Sequence, residues 1–467
     1  MILALAVVVN QAIGQPVRLP SPSTVPPTGV ALPSIAATHE IYVAVDGRDD
    51  GDGSLHRPLR TPQEAVNRAL PGSIILLRSG SYGLFHIESS GTSQSPITIS
   101  SYPGERAIVD GRGKATQVVS VVGAHDVVLS HITIQGAVGK DEGSGLYVGA
   151  GSHDVTFEDG LVRGIDGFGI LIDGSTRVTI RRSEITDTAT GIRIRTAGDQ
   201  VLVEDNRIFN NDRMVINDRG GNNDYGAQGV AFQFTTGLVT VRNNQIYGQR
   251  AQSFDYGQDG AAFEVFGASN LLITGNVVWD NENVLETGTD GTHPCSNITF
   301  TRNVAYNAAS SGESKGIILR CAAHSLFAQN TIEGLDRWAI QIDAHDRTFG
   351  GPVAGLRIAN NILVGSALLV DMPVPLPDSA SLDYDLFSSQ GPAIARLGDR
   401  VMSLAELRQL TGLELHGALG DPLFVDAGAH NYHLQRGSPG IDTGLRIPGV
   451  NDAYAGNAPD VGRYEFE

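Results

Sequence analysis

The sequence predicts an all-β solenoid built from stacked coils of short strands, and three observations predict it. Short Val/Ile/Leu-rich segments recur along the chain with little amphipathic helical periodicity between them. Glycine is abundant and aromatic residues are few, at 57 residues and 6% of 467, a balance that favours many tight turns over a globular aromatic core. An Asn-centred turn also repeats, as VLVEDNRI, VTVRNNQI, LLITGNVV, ITFTRNVA, LFAQNTI and LRIANNIL. These turns place Asn206, Asn244, Asn276, Asn303, Asn330 and Asn361 in equivalent positions, at spacings within the roughly 20 to 40 residues of solenoid repeats. A leucine-rich repeat would show Leu-x-x-Leu-x-Leu and helical connectors, and the sequence has neither.

The elements follow in order. Residues 1–14 hold the apolar run ILALAVVV and a small-residue Ala12-Ile13-Gly14 site, and they read as a signal peptide lacking a basic start. The run is well short of the roughly 20 apolar residues that span a bilayer. Residues 15–38 are a Pro/Ser/Thr-rich linker, and residues 39–467 form one solenoid domain with its closing tail. Thr61-Pro62-Gln63-Glu64 reads as a capping box with Pro at the first helical position, which predicts a helix to about Leu70 that covers the open end of the stack. SIILLRSGSYG and PITISSYPGERAIVDG are the first coils, and the solenoid runs from about Ile41 to Ile362. Ser403-Leu404-Ala405-Glu406 opens a second short helix, and GDPLFVDAG and YHLQRGSPGIDTG read as a closing tail. Asn tolerates the left-handed backbone, and its amide can bond to the next coil. An Asn ladder is therefore expected at the six turns.

Within GIRI, AFQF, AFEV, VLET, ILRC and AIQI, one polar residue interrupts each apolar segment: Arg193, Gln233, Glu264, Glu286, Arg320 and Gln341. Strand side chains alternate between faces. The polar residues therefore point outward as a column, over an interior filled by Ile192, Phe263, Leu285, Leu319 and Ile340. Like charges on adjacent strands cost stability, which makes the Glu264–Glu286 pair at the centre of the column the prime candidate site. Any one of Arg193, Gln233 or Gln341 taken alone fits an ordinary solvated strand face better than a site. His324, His345, Trp279 and Trp338 are assigned to packing and turns.

The net charge of −18 and pI near 5.0 argue against nucleic acid and anionic membrane surfaces, which need clustered Lys and Arg. Only Lys114, Lys140 and Lys315 are lysines. Cys295 and Cys321 are compatible with one disulfide in an oxidising compartment, or with buried free thiols.

The opening IYVAVDGRDDGDGS with its helix, the Asn turns, and the closing DPLFVD and GSPGIDTG resemble right-handed parallel β-helix proteins of the pectate-lyase-like superfamily. The resemblance implies a right-handed parallel β-helix. It also implies a secreted, periplasmic or cell-surface monomer that acts on a polysaccharide or oligosaccharide, with substrate lying along the first strand of each coil. That scaffold serves lyases, glycoside hydrolases, epimerases and tailspikes alike.

Two chemistries suit the paired glutamates, whose strands lie about 4.8 Å apart. The first, taken as the leading reading, is β-elimination on a uronate glycan. Glu264 and Glu286 would bind Ca²⁺ with Asp255, Asp259 or Asp290, and Lys315 and Arg320 would serve as base and charge stabiliser. Glu286 followed one coil later by Arg320 is similar to the alginate lyase and chondroitinase B family. The lysine that this family carries just after its Glu pair is missing from TGTDGTHPC. The second is retaining glycoside hydrolysis, with one Glu as nucleophile and the other as acid/base. In either case Arg193, Gln233, Gln341 and His293 are candidate substrate-binding residues. A non-catalytic carbohydrate-binding or adhesin role is the remaining alternative.

Overall fold

The computed structural model describes residues 39–196, 199–221, 223–293, 295–307, 314–365 and 368–466, so the signal peptide and linker expected over residues 1–38 lie outside the described residues. The chain winds through three 13-stranded sheets. Each full coil contributes one strand to each sheet in turn, as in Ser144–Val148, His153–Glu158 and Leu161–Arg163. We call these the first, second and third sheets. Pairing between coils is parallel throughout, until Arg400–Met402 closes the first sheet antiparallel. The coils run past the expected end at Ile362, through Ser381–Asp383 and Leu386–Ser389 to Ala418–Leu419.

Register puts like residues over like. Along the interior of the first sheet Ile192, Val230, Phe263, Leu285, Ile317 and Ile340 pair in succession, and all are essentially buried, as is Leu319. Helix Pro62–Arg68 closes one end with Ala65 and Val66 in the core; Thr61 caps it, while Glu64 turns to Arg68 at 2.7 Å rather than completing the box. Helix Leu404–Thr411 closes the other end with the full capping box of Ser403 and Glu406, and it buries Leu404 and Leu407. On the third sheet Trp279 stacks between Tyr247 and Tyr306, at 4.2 and 5.9 Å. Cys295 and Cys321 are joined as a disulfide, with Cα atoms 5.4 Å apart.

The six asparagines form one continuous ladder. Each Oδ1 from Asn244 to Asn361 accepts both the backbone N–H and the side-chain amide of the asparagine one coil earlier, at 2.9–3.1 Å. Asp385 takes the place of the next asparagine, and Glu414 accepts in turn from Asp385 N at 3.2 Å. The left-handed residue of each turn is the one before the ladder residue, namely Asp205, Asn243, Gly275, Arg302, Gln329 and Asn360. The ladder asparagines were expected to serve both needs. The turn divides them between neighbours, because the amide reaches the next coil only when the bend precedes it.

Asn303 is buried, donates to Ile273 O at 3.1 Å, and links Asn276 to Asn330. Replacing it with Ala strands several buried polar groups, each worth about 1–3 kcal/mol. Asn303→Ala is expected to lower stability by about 2–4 kcal/mol in urea unfolding, whereas a change within about 0.5 kcal/mol would assign the ladder no energetic role.

Candidate functional site

The central pair falls where the spacing predicts it. Glu264 and Glu286 are register partners on adjacent strands Ala261–Phe266 and Asn283–Gly288. The rest of the column is corrected. Arg193 pairs with Ala231, Ala231 with Glu264, Glu286 with Ile318, Ile318 with Gln341, and Gln341 with Asp371. Gln233 instead pairs with Arg195 and Phe266, and Arg320 follows the strand Lys315–Leu319, so both sit two residues farther along the same face. A slip of two preserves the alternation, so the sequence pattern cannot distinguish it. Both side chains lean back: Gln233 Oε1 accepts from Arg193 Nη2 at 2.6 Å, and Arg320 Nη1 bonds Glu286 Oε1.

A second row of functional groups comes from a break in the strand geometry. Pairing skips the second residue of these strands, at Gly191, Gly229, Ala262 and Val284. A Cβ on Gly191 or Gly229 would lie 2.7 or 2.6 Å from a carbonyl oxygen of the next coil. With alternation broken, residues three apart share a face. Gln228 Nε2 donates to Glu264 Oε2, and Asn283 Nδ2 donates to Glu286 Oε2 at 2.8 Å. Lys315 pairs with Asn283 at the start of its strand.

Two antiparallel hairpins precede these strands. Met214–Ile216 pairs with Tyr225–Gly226, and Ala251–Ser253 pairs with Gly257–Asp259. Asp224 ties them together by accepting from Ser253 Oγ, Phe254 N and Asp255 N at 2.9–3.0 Å. The second hairpin carries exposed Phe254 and Tyr256 at its tip and delivers Asp259 beside the glutamates. After the strands, Phe234, Phe266, Phe349 and His293 make an aromatic bank with centroids 4.4–6.1 Å apart.

The electrostatics of the pair are asymmetric. Burial, then the Glu286 charge, push Glu264 up to about 7, against the smaller opposing pull of Arg193, Gln228 and Arg320. Burial, Glu286 and Glu264 also hold Asp259 well above the ordinary carboxylate range, with Lys315 pulling the other way. Glu286 is ion-paired with Arg320. Burial opposes charge on Arg320, but Glu286 and Asp346 (Nε–Oδ2 3.3 Å) outweigh it and raise its pKa. Burial, with Asp259 and Glu286, pushes the Tyr256 phenol up to about 12.

The expected calcium ligands divide. Asp255 Oδ2 accepts from Asn223 N and Asp224 N, bracing the hairpins. Asp290 accepts from Thr292 N and His293 N at 2.8 Å and from the His293 ring, which together lower its pKa. Asp259, Glu264 and Glu286 feel one another's charge, yet among the described residues no three His, Cys, Asp or Glu side chains are arranged to hold a metal ion. Gln341 is taken up by Asp371 at 2.8 Å, which is in turn chelated by Arg396. His293 stays in the aromatic bank.

Sequence comparison agrees with the fold. The model of the Pel9A-like right-handed β-helix region matches residues 41–311. A segment of 134 residues is 31% identical to protein YwoF of Bacillus subtilis, covering 27% of this chain and 29% of that protein. A segment of 83 residues is 42% identical to pectate lyase PEL9 of Emericella nidulans, covering 17% of this chain and 20% of that enzyme. The matched segments thus span less than a third of the length of these relatives. Among solved structures, XylC in complex with xylose superposes with a TM-score of 0.51 at 10% identity, over 82% of this chain and 86% of that one.

The raised pKa of Glu264 carries a stability consequence. A carboxyl whose folded pKa exceeds its unfolded value contributes stability that is intact at low pH and is lost as pH rises from about 4.5 through about 7. Glu264→Gln removes that penalty. The variant is expected to be more stable than the parent by on the order of 1–3 kcal/mol near about pH 8, with the difference closing by about pH 4 in urea unfolding. A gap independent of pH would show that Glu264 titrates normally.

Proposed function

The chain belongs to the Pel9A-like right-handed β-helix family, and we propose that it is a glycan-cleaving enzyme whose reaction centre is the Glu264–Glu286 pair. The observation that carries this is the register pairing of two carboxyls on adjacent strands, with Gln228 bound to Glu264 and Arg320 ion-paired with Glu286. Burial and the Glu286 charge push Glu264 up to about 7, which suits it to donate a proton.

The geometry supports retaining hydrolysis best. Strands about 4.8 Å apart bring the carboxyls near the roughly 5–5.5 Å of retaining enzymes. Glu264 donates its proton to the leaving glycosidic oxygen as the Glu286 carboxylate attacks the anomeric carbon. The glycosidic bond breaks and a glycosyl ester forms. Glu264, now ionised, takes a proton from water, whose oxygen displaces Glu286 and restores both groups. Asn283 and Arg320 orient Glu286, Gln228 orients Glu264, and Tyr256 with the aromatic bank supplies faces for sugar rings.

β-Elimination on a uronate is the second reading, and the family match and the pectate lyase segment favour it. Lys315 is the candidate base, and Arg320 the candidate partner of the developing enolate.

Incubation with uronate and neutral glycans separates the routes. Hydrolysis yields reducing ends alone, whereas elimination adds the near-235 nm absorbance of an unsaturated uronate. Reducing ends without absorbance, persisting in excess chelator, are expected. Glu264→Gln and Glu286→Gln should each lower kcat by about 10²–10⁴-fold. Undiminished turnover in both variants would move the site elsewhere on the solenoid.

A further inference from the structure

The chain places both of its cysteines at one corner of the solenoid. Cys295 precedes the second-sheet strand Ser296–Thr301, and Cys321 follows the first-sheet strand Lys315–Leu319 one coil later. Both are fully buried. The two coils are already joined on either side of the bridge. Thr287 and Leu319 are register partners before it. After it Ser296 pairs with Ala323, Ala323 N donates to Cys295 O at 3.1 Å, and Asn297 N donates to Ala323 O at 2.9 Å. The Asn303–Asn330 rung lies beyond. A solenoid frays from its ends, so a bridge placed for stability alone serves best on a terminal coil. This one joins the coils of the eighth and ninth strands of the 13-stranded first sheet.

What the bridge adjoins is the pair of strand ends that meet at the reaction centre. Thr287, next to Glu286, accepts at Oγ1 from Arg320 N and Cys321 N at 3.0 and 3.1 Å. Arg320 O accepts from Gly351 N at 2.9 Å. Arg320 stands two residues beyond Ile318, the register partner of Glu286, so its side chain leans back to reach Glu286 Oε1 while Nε meets Asp346 Oδ2 at 3.3 Å. That backward reach depends on where the Arg320 backbone is held, because charge-assisted bonds are short and directional. Through Cys295 the bridge also anchors the loop 289–293, in which Thr289 Oγ1 donates to His293 O at 2.6 Å and Asp290 bonds the His293 ring at 2.8 Å.

We infer that the Cys295–Cys321 disulfide is a positioning device for the reaction centre, so that glycan cleavage is gained when the two thiols are oxidised and falls when they are reduced, while the solenoid stays folded. This rests on the proposed glycan-cleaving function and adds its regulation. It holds for hydrolysis and elimination alike, since both use Arg320. The oxidant is a small disulfide such as oxidised glutathione. Its S–S bond breaks as the bond between Cys295 Sγ and Cys321 Sγ forms, two electrons pass to it from the protein sulfurs, and the two cysteine protons leave on two glutathione thiols. Burial of both sulfurs then shields the bond from exchange.

The test compares the oxidised parent, the parent refolded and held in dithiothreitol, and Cys295→Ala/Cys321→Ala. In both bridge-free forms, amide hydrogen exchange across residues 287–293 and 320–323 is expected to speed by at least about 10-fold, while Asn303 and Asn330 keep the parent rate. On a uronate or neutral glycan that the parent cleaves, kcat is expected to fall by about 10- to 100-fold with KM changed less than about threefold. Oxidised glutathione should restore kcat to the reduced parent and not to the double-alanine variant. In an Arg320→Gln background, removing the bridge should cost less than about threefold, because both changes act through one contact. Equal kcat with and without the bridge, or losses that multiply with that of Arg320→Gln, would overturn the inference. Faster exchange along the whole ladder would make the bridge a global staple and overturn it too. An oxidised parent that cleaves no glycan would overturn the proposed function and its redox control together, whereas the exchange result alone decides whether the bridge holds the Arg320 corner.

Discussion

Parallel, in-register pairing between successive coils is the constraint on which the rest of this molecule depends. Strands about 4.8 Å apart, repeated without a shift, force each residue to lie against its counterpart one coil away. Where counterparts are apolar, as from Ile192 to Ile340, the result is a continuous core. Where they are asparagines, every side chain completes the hydrogen bonding of the previous turn. Where they are Glu264 and Glu286, the same rule sets two like charges side by side, and neither can move away without breaking the stack. The surroundings then ease the conflict: Arg320 and Asn283 hold one carboxyl, while burial raises the pKa of the other.

A displaced pKa does not by itself mark a reaction centre. Asp385, at the end of the Asn ladder, is also pushed up, to about 6 and chiefly by burial, and Glu414 beside it is held well above its ordinary value. That pair is sealed inside the fold and terminates a chain of hydrogen bonds, so a shared proton there serves stability. Glu264 differs in what surrounds it. Two braced hairpins stand before its strand and an aromatic bank after it, and an exposed tyrosine is close enough to feel Glu286. The combination of a restrained charge with these hairpins and rings distinguishes chemistry from architecture.

Much of this was legible in the sequence because solenoid periodicity writes structure into spacing. The Asn turns, the interior residues and the Glu264–Glu286 pairing follow from period and parity, and the capping helices from their N-cap residues Thr61 and Ser403. What was not legible has two physical causes. Alternation fixes a face but not a position along it, which is why Gln233 and Arg320 stand two residues from their expected places. The skipped residue near the start of each strand turns positions three apart to one side, bringing in Gln228 and Asn283 where alternation turns them away. The glycines at Gly191 and Gly229 carried the signal, since they mark where one coil's backbone approaches the next too closely for a side chain. Asp259 and Tyr256 depend on hairpins whose partners are set by Asp224, a tertiary contact that no local pattern records.

The most direct measurement is a site-resolved titration of Glu264, by carbon NMR of labelled glutamate assigned through Glu264→Gln, in the parent and in Glu286→Gln. The account predicts a midpoint near 7 in the parent and a clear fall when the Glu286 charge is removed. A midpoint at the ordinary carboxylate value of 4.5, or one that does not respond to Glu286, would contradict it.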